Sequence, residues 1–349
     1  MPSKERNLSL DLFRTIGLLC IVLAHVNPPD FLFQIRNFDV PFMVIISGYL
    51  YANLDMKKPE GNFWPYIYKR FIRLILPVWI FLSIFFTYFW GLAHFTGTIF
   101  PFSFREILGS YLLWDGIGYV WIIRIFFIIA LIGPLSVKLL NKSRHKYKIL
   151  IFIYLAYEFI YYFFSKLDIN DSEKNIITKS FFYIIPYLLL FFYGRMLSRT
   201  KRKGIELIAY ISFAIIVAGE IYSYMQTGNI MNIQAYKYPP TFFYLVYAIF
   251  MSSMIFIYIE EFKEIKNKKA ISTIKFIGSS TMWIYLWHIP AVYYFQHHST
   301  NIYYLWKYLL VLAFAISLTL IQQKIFKQVL KKTWIKDKNK KFIRAVFMG

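Results

Sequence analysis

Long apolar runs alternate with short polar, mostly basic connections along the whole chain. About 20 apolar residues cross a hydrocarbon core. On that template the pattern predicts about ten transmembrane helices. They fall near residues 8–27, 38–54, 72–92, 117–140, 147–165, 178–197, 205–224, 240–260, 271–296 and 302–323. The second run is the shortest, and the fourth carries Arg124. The expected fold is all-α, a polytopic membrane protein with one domain over residues 1–349 and a basic tail at 324–349.

Composition agrees. The chain is 58% apolar and 21% aromatic, too apolar for a soluble protein. In a soluble protein the formal charge of +22 would suggest nucleic acid. In a membrane protein it reads as Lys and Arg collected by cytoplasmic loops, and no nucleic-acid partner is expected. Alternate connections hold 31 of the 40 Lys and Arg, which places both termini in the cytoplasm. Tyr and Trp clusters such as "FWPYIY" and "NIYYLW" fit interfacial belts. Lys4 and Arg6 give a positive start, but the run behind them holds Asp11 and Arg14 and lacks a small-x-small exit. It reads as a retained first span in the cell membrane, not a cleaved signal. The tail reads as a cytoplasmic end touching anionic lipid. Cys20 is the one cysteine, so a disulfide within the chain and a Cys-based metal site are both excluded. His297 and His298 are adjacent and poor joint ligands, so no metal is expected.

Ionisable side chains inside spans are costly and are functional candidates by default. Arg14 and His25 are eleven residues apart. On a continuous helix that is about three turns, with both on one face and roughly 16 Å between them. Asp11 lies one turn before Arg14 on that face. The alternative is an Asp11–Arg14 pair at the interface with His25 among the headgroups. Asp39, at the outer end of the second run, is either a partner that fixes the His25 tautomer or an interfacial acid. Ser47-Gly48 allows close helix approach. Arg70 and Arg73 are one turn apart, so they can grip one anion together or serve only as inside charge. Arg124 lies mid-span, with Glu158 and Glu220 in other spans as candidate partners. His288 is either a chemical group or a hydrogen-bonding strut between helices.

The stretches "LSLDLFRTIGLLCIVLAH", "VPFMVIISGYL", "RFIRLILP", "YVWII" and "IYLWHIP" occur in that order. Together they resemble the membrane acyltransferase family called acyltransferase 3. Arg14, ten residues, then His25 matches its arginine–histidine motif, and Arg70-x-x-Arg73 its paired-arginine motif. Arg124 and Asp39 match no element of that pattern.

The resemblance implies a ten-helix bundle that moves an acyl group, usually acetyl, from cytoplasmic acyl-coenzyme A. The acceptor would be a hydroxyl of a cell-surface or lipid-linked polysaccharide. No permanently bound cofactor is implied. Arg14, Arg70 and Arg73 would position the donor phosphates. His25 would be general base on the acceptor hydroxyl or a transient acyl carrier. Arg124 or His288 would face the thioester oxygen. The competing classes are a transporter or flippase for a lipid-linked glycan and a glycan polymerase.

Overall fold

The computed structural model describes residues 8–55, 63–259, 267–298, 302–332 and 335–348. Lys4 and Arg6 lie outside the described residues. Fifteen helices account for most of the described chain. They are α1 (Leu8–Leu23), α2 (Asp30–Ile35), α3 (Asp39–Asp55), α4 (Phe63–Thr96) and α5 (Phe104–Tyr111). Then come α6 (Trp121–Asn141), α7 (Lys146–Ser165), α8 (Asp171–Ile177), α9 (Ile184–Leu197) and α10 (Arg202–Thr227). The last are α11 (Phe242–Tyr258), α12 (Lys268–Ser279), α13 (Thr281–His297), α14 (Tyr304–Leu330) and α15 (Asp337–Phe347). Among the described residues there is no strand beyond one isolated bridge between Lys237 and Pro240.

The protein is therefore an all-α membrane protein. Six helical segments are long and apolar enough to cross a bilayer: 64–96, 121–141, 148–165, 171–197, 202–227 and 304–330. Their outward side chains are apolar, as on α7, where Phe152, Leu155 and Phe159 are exposed. That pattern suits a hydrocarbon solvent.

Several expected runs differ in detail, and the fourth starts at Trp121 instead of 117, which leaves Tyr119 in the connection before α6. The first does not continue to residue 27: α1 stops at Leu23. Asn27 takes a left-handed φ of 53°, and Pro28-Pro29 cannot extend a helix. The ninth run is two helices, broken at Ser280, whose hydroxyl accepts from Gln323 Nε2 at 2.8 Å. The sixth carries a π turn over Thr178–Phe182 ahead of α9. The buried Tyr157 hydroxyl on α7 reaches the Phe182 and Pro240 carbonyls at 3.2 and 2.7 Å.

The helices fall into two compact units. The first comprises residues 1–28, 60–127 and 267–349. In it α1 packs on α12 and α13, and α13 also packs on α4 and α14. The α1–α12 approach is backbone-close: a Cβ on Gly278 would come within 2.5 Å of the Asp11 carbonyl oxygen. Trp283 Nε1 donates to the Val346 carbonyl at 2.7 Å, which ties α15 to α13.

The second unit comprises residues 29–59 and 128–266. Here α3 packs on α9 and α11, and α10 on α11. Gly48 and Gly194 make the α3–α9 crossing possible. A Cβ on either would lie 1.9 Å from a carbonyl oxygen, of Phe191 or Ile45 respectively. Small residues admit this approach, as expected of Gly48, whereas Ser47 beside it is exposed.

Candidate functional site

Within the first unit, α13 is held from several sides. Besides the Trp283 bond, Trp287 Nε1 donates to Gln322 Oε1 on α14 at 2.8 Å. The helix thus presents His288, fully buried, one residue after Trp287. His288 Nδ1 meets the Tyr285 carbonyl one turn earlier. Its Nε2 lies 3.0 Å from Nδ1 of His25. The two rings stack at 5.1 Å between centroids.

His25 is not on the α1 helix. It sits in a tightened turn after it, where its backbone N–H donates to the Val22 carbonyl at 3.1 Å. The single helical stripe expected from Asp11 to His25 holds only for Asp11 and Arg14. The end of α1 swings the imidazole out of that row and onto α13.

A carbonyl oxygen only accepts, so the His288 nitrogen facing it carries the proton. In a neutral ring the other nitrogen, Nε2, is then an acceptor. His25 Nδ1 must be the donor, which places the basic lone pair of His25 on Nε2. This tautomer assignment follows from the bonding pattern.

Tyr119 closes a further side. Its ring meets His25 edge-on at 5.0 Å and His288 at 6.2 Å. Its hydroxyl donates to Gln296 Oε1 at 2.6 Å, and its carbonyl accepts from the Tyr285 hydroxyl at 2.5 Å. The loop that carries it, "LLWDGIGY", turns through left-handed φ at Leu113, Gly116 and Gly118. At Gly116 a side chain would strike the Ser110 hydroxyl, 2.1 Å from the Cβ position. That hydroxyl accepts from the Ile117 N–H at 3.0 Å and pins the loop to α5. Helix α5 is itself started by a capping box of Ser103 and Glu106.

The remaining candidates are spread out. Arg14 is part-exposed, 3.9 Å from buried Asp11. Arg70 and Arg73 share a face near the start of α4; Arg73 is exposed, and Arg70 lies 5.0 Å over the Tyr66 ring. Arg124 is buried and stands 4.3 Å over the Trp114 ring. Ser47 is exposed and returns its hydroxyl to the Met43 carbonyl at 2.9 Å. Asp39, in the second unit, gives its carboxylate to Arg36 at 3.0 Å and Lys237 at 3.7 Å. The imidazole that contacts His25 is His288, from α13. Among the described residues no group of three His, Cys, Asp or Glu side chains is placed to hold a metal ion.

The family model described as an acyltransferase domain, acyltransferase 3, matches residues 7–321 of the 349-residue chain. The chain belongs to this family. It is a membrane acyltransferase. Neither the curated proteins nor the solved structures yielded a match. The matched segment takes in every side chain of the histidine site, from His25 to Gln296. Tyr119, Tyr285 and Gln296 of the acyltransferase escaped sequence reasoning. The one local hint was the double glycine in "DGIGY", which marks a loop bent to bring backbone close to something.

Proposed function

We propose that this acyltransferase moves an acyl group, acetyl by preference, from acyl-coenzyme A to a hydroxyl of a surface or lipid-linked polysaccharide. His25 is its reacting residue. The observation that carries the reading is the His25–His288 pair, with Nδ1 and Nε2 3.0 Å apart. It fixes one His25 nitrogen as donor and leaves the other basic. A lone imidazole would divide its population between two tautomers.

His25 Nε2 takes the proton of the acceptor hydroxyl as its oxygen attacks the thioester carbonyl. The tetrahedral adduct expels the coenzyme A thiolate, which takes the proton back from His25. The products are an ester and a free thiol. Once protonated, His25 still donates Nδ1–H to His288, and that bond strengthens because the donor is then charged. The same nitrogen would be the nucleophile if the acyl group rests on His25 in transit. Arg14, Arg70 and Arg73 supply guanidinium groups for the donor phosphates, and Arg124 is the candidate donor to the developing oxyanion. Both termini and the donor side are then cytoplasmic, in a plasma-membrane protein of about ten spans.

The test is to incubate purified protein in vesicles with acetyl-labelled coenzyme A and polysaccharide or lipid-linked glycan. Alkali-labile label on the glycan is the expected result. Glycan movement or chain growth with no label transferred would replace this reading with a transporter or a polymerase.

A further inference from the structure

The second unit holds three charged side chains in one buried cluster. Arg36, Asp39 and Lys237 are respectively 3%, 2% and 4% exposed. Arg36 Nη1 donates to Asp39 Oδ2 at 3.0 Å, and Lys237 Nζ stands 3.7 Å from Asp39 Oδ1. That same Oδ1 also accepts the Val40 N–H at 2.7 Å. One carboxylate thus serves two cations and the start of α3. The guanidinium plane lies 3.9 Å over the Phe33 ring. Its Nε is buried with no hydrogen-bond partner. The fully buried hydroxyls of Tyr187 and Tyr244 lie close enough to Asp39 to feel its charge.

Formally this cluster is two positive charges against one negative. A buried charge without a counterion is expensive. Lys237 sits in the connection between α10 and α11. Burial pushes its ammonium below the ordinary lysine range, Asp39 holds it up, and Arg36 pushes it down again. Losing a proton from Lys237 would balance the charge, yet it would leave Arg36 Nε without an acceptor. A second anion balances the charge and also meets that donor.

We propose that Arg36 and Lys237 hold a small monovalent anion beside Asp39, a halide or a simple carboxylate. The ion completes the buried cluster that joins the α2–α3 segment to the connection ahead of α11. The depth of all three side chains limits the ligand to a small one.

The experiment follows thermal unfolding of the detergent-purified protein while chloride, acetate or gluconate replaces one another at constant ionic strength. Chloride is expected to raise the midpoint by several degrees in a saturable way, since a ligand that binds only the folded state stabilises it by mass action. Gluconate, too bulky to enter, should not. Saturation by chloride alone marks a halide site; saturation by acetate as well marks one that takes a carboxylate. Lys237→Met removes the excess charge and should abolish the chloride effect. Asp39→Asn leaves two cations facing the ion and should lower the half-saturating chloride concentration about ten-fold or more. One midpoint in all three salts would overturn the proposal and leave proton loss or a water molecule to close the cluster. A chloride effect retained in Lys237→Met, or half-saturation unchanged in Asp39→Asn, would overturn it too, by placing the ion elsewhere.

Discussion

His25 Nδ1 lies 3.0 Å from Nε2 of His288, and the bond that His288 makes to the Tyr285 carbonyl decides which of the two nitrogens donates. A turn after α1 and the middle of α13 thereby act as one device. In the proposed reaction His288 is a positioning residue that acts through His25.

His288→Leu should cut the turnover of acyl transfer at saturating donor substantially. The loss should stay within the roughly 10²–10⁴-fold that a general base contributes, because the base itself is still present. His288→Gln keeps an acceptor near the place of Nε2 and should recover part of that loss. Turnover measured at matched protein level checks this. Equal defects in both variants that follow only the amount of folded protein would leave His288 a strut.

Arg70→Ala and Arg73→Ala should each weaken coenzyme A binding about ten-fold or more. A guanidinium–phosphate contact is worth roughly 1.5–3 kcal/mol. Equilibrium binding to the purified variants measures it. Unchanged affinity in both would leave the pair only its part in orienting the chain in the bilayer.

Gly48→Ala should destabilise the second unit by about 1–3 kcal/mol, as overpacking does. Its new Cβ would sit 1.9 Å from the Phe191 carbonyl oxygen. Gly91→Ala on α4 has nothing within 4 Å of its Cβ and should be neutral or slightly stabilising. Paired thermal unfolding curves in detergent make the comparison.

Cysteine labelling should find residue 203, in α10, on the cytoplasmic face and residue 171, in α8, on the opposite one. The 31 basic residues of the connections assigned to the inside motivate this. Both labels on one face would overturn the ten-span arrangement.

The apolar runs were legible because hydrocarbon demands them over a fixed length. Their ends were less so. Helix α1 stops at Leu23 in a tightened turn, where the His25 and Val26 N–H groups bond three residues back, a change that hydropathy does not register. His25 and His288 each stood out as a polar residue in an apolar run. Their pairing did not, because 263 residues separate them and only the packing of α13 brings them together. Tyr119 was invisible for a different reason: the expected fourth run, 117–140, took it into a span, where an aromatic residue carries no penalty to mark it, whereas α6 begins only at Trp121 and leaves it in the connection. Asp39 was legible as an acid at the end of an apolar run, while its partners Arg36 and Lys237 lie in connections, where a cation carries no penalty to mark it.

The most direct test of His25 as the reacting residue is the rate of acetyl transfer from labelled coenzyme A to glycan by well-expressed His25→Gln. An amide keeps hydrogen bonds but cannot take a proton or carry an acyl group as imidazole does. A loss of at least about 10²-fold is expected if His25 is the base or the acyl carrier, with expression and coenzyme A binding nearly intact. Transfer at close to the parent rate would contradict that role.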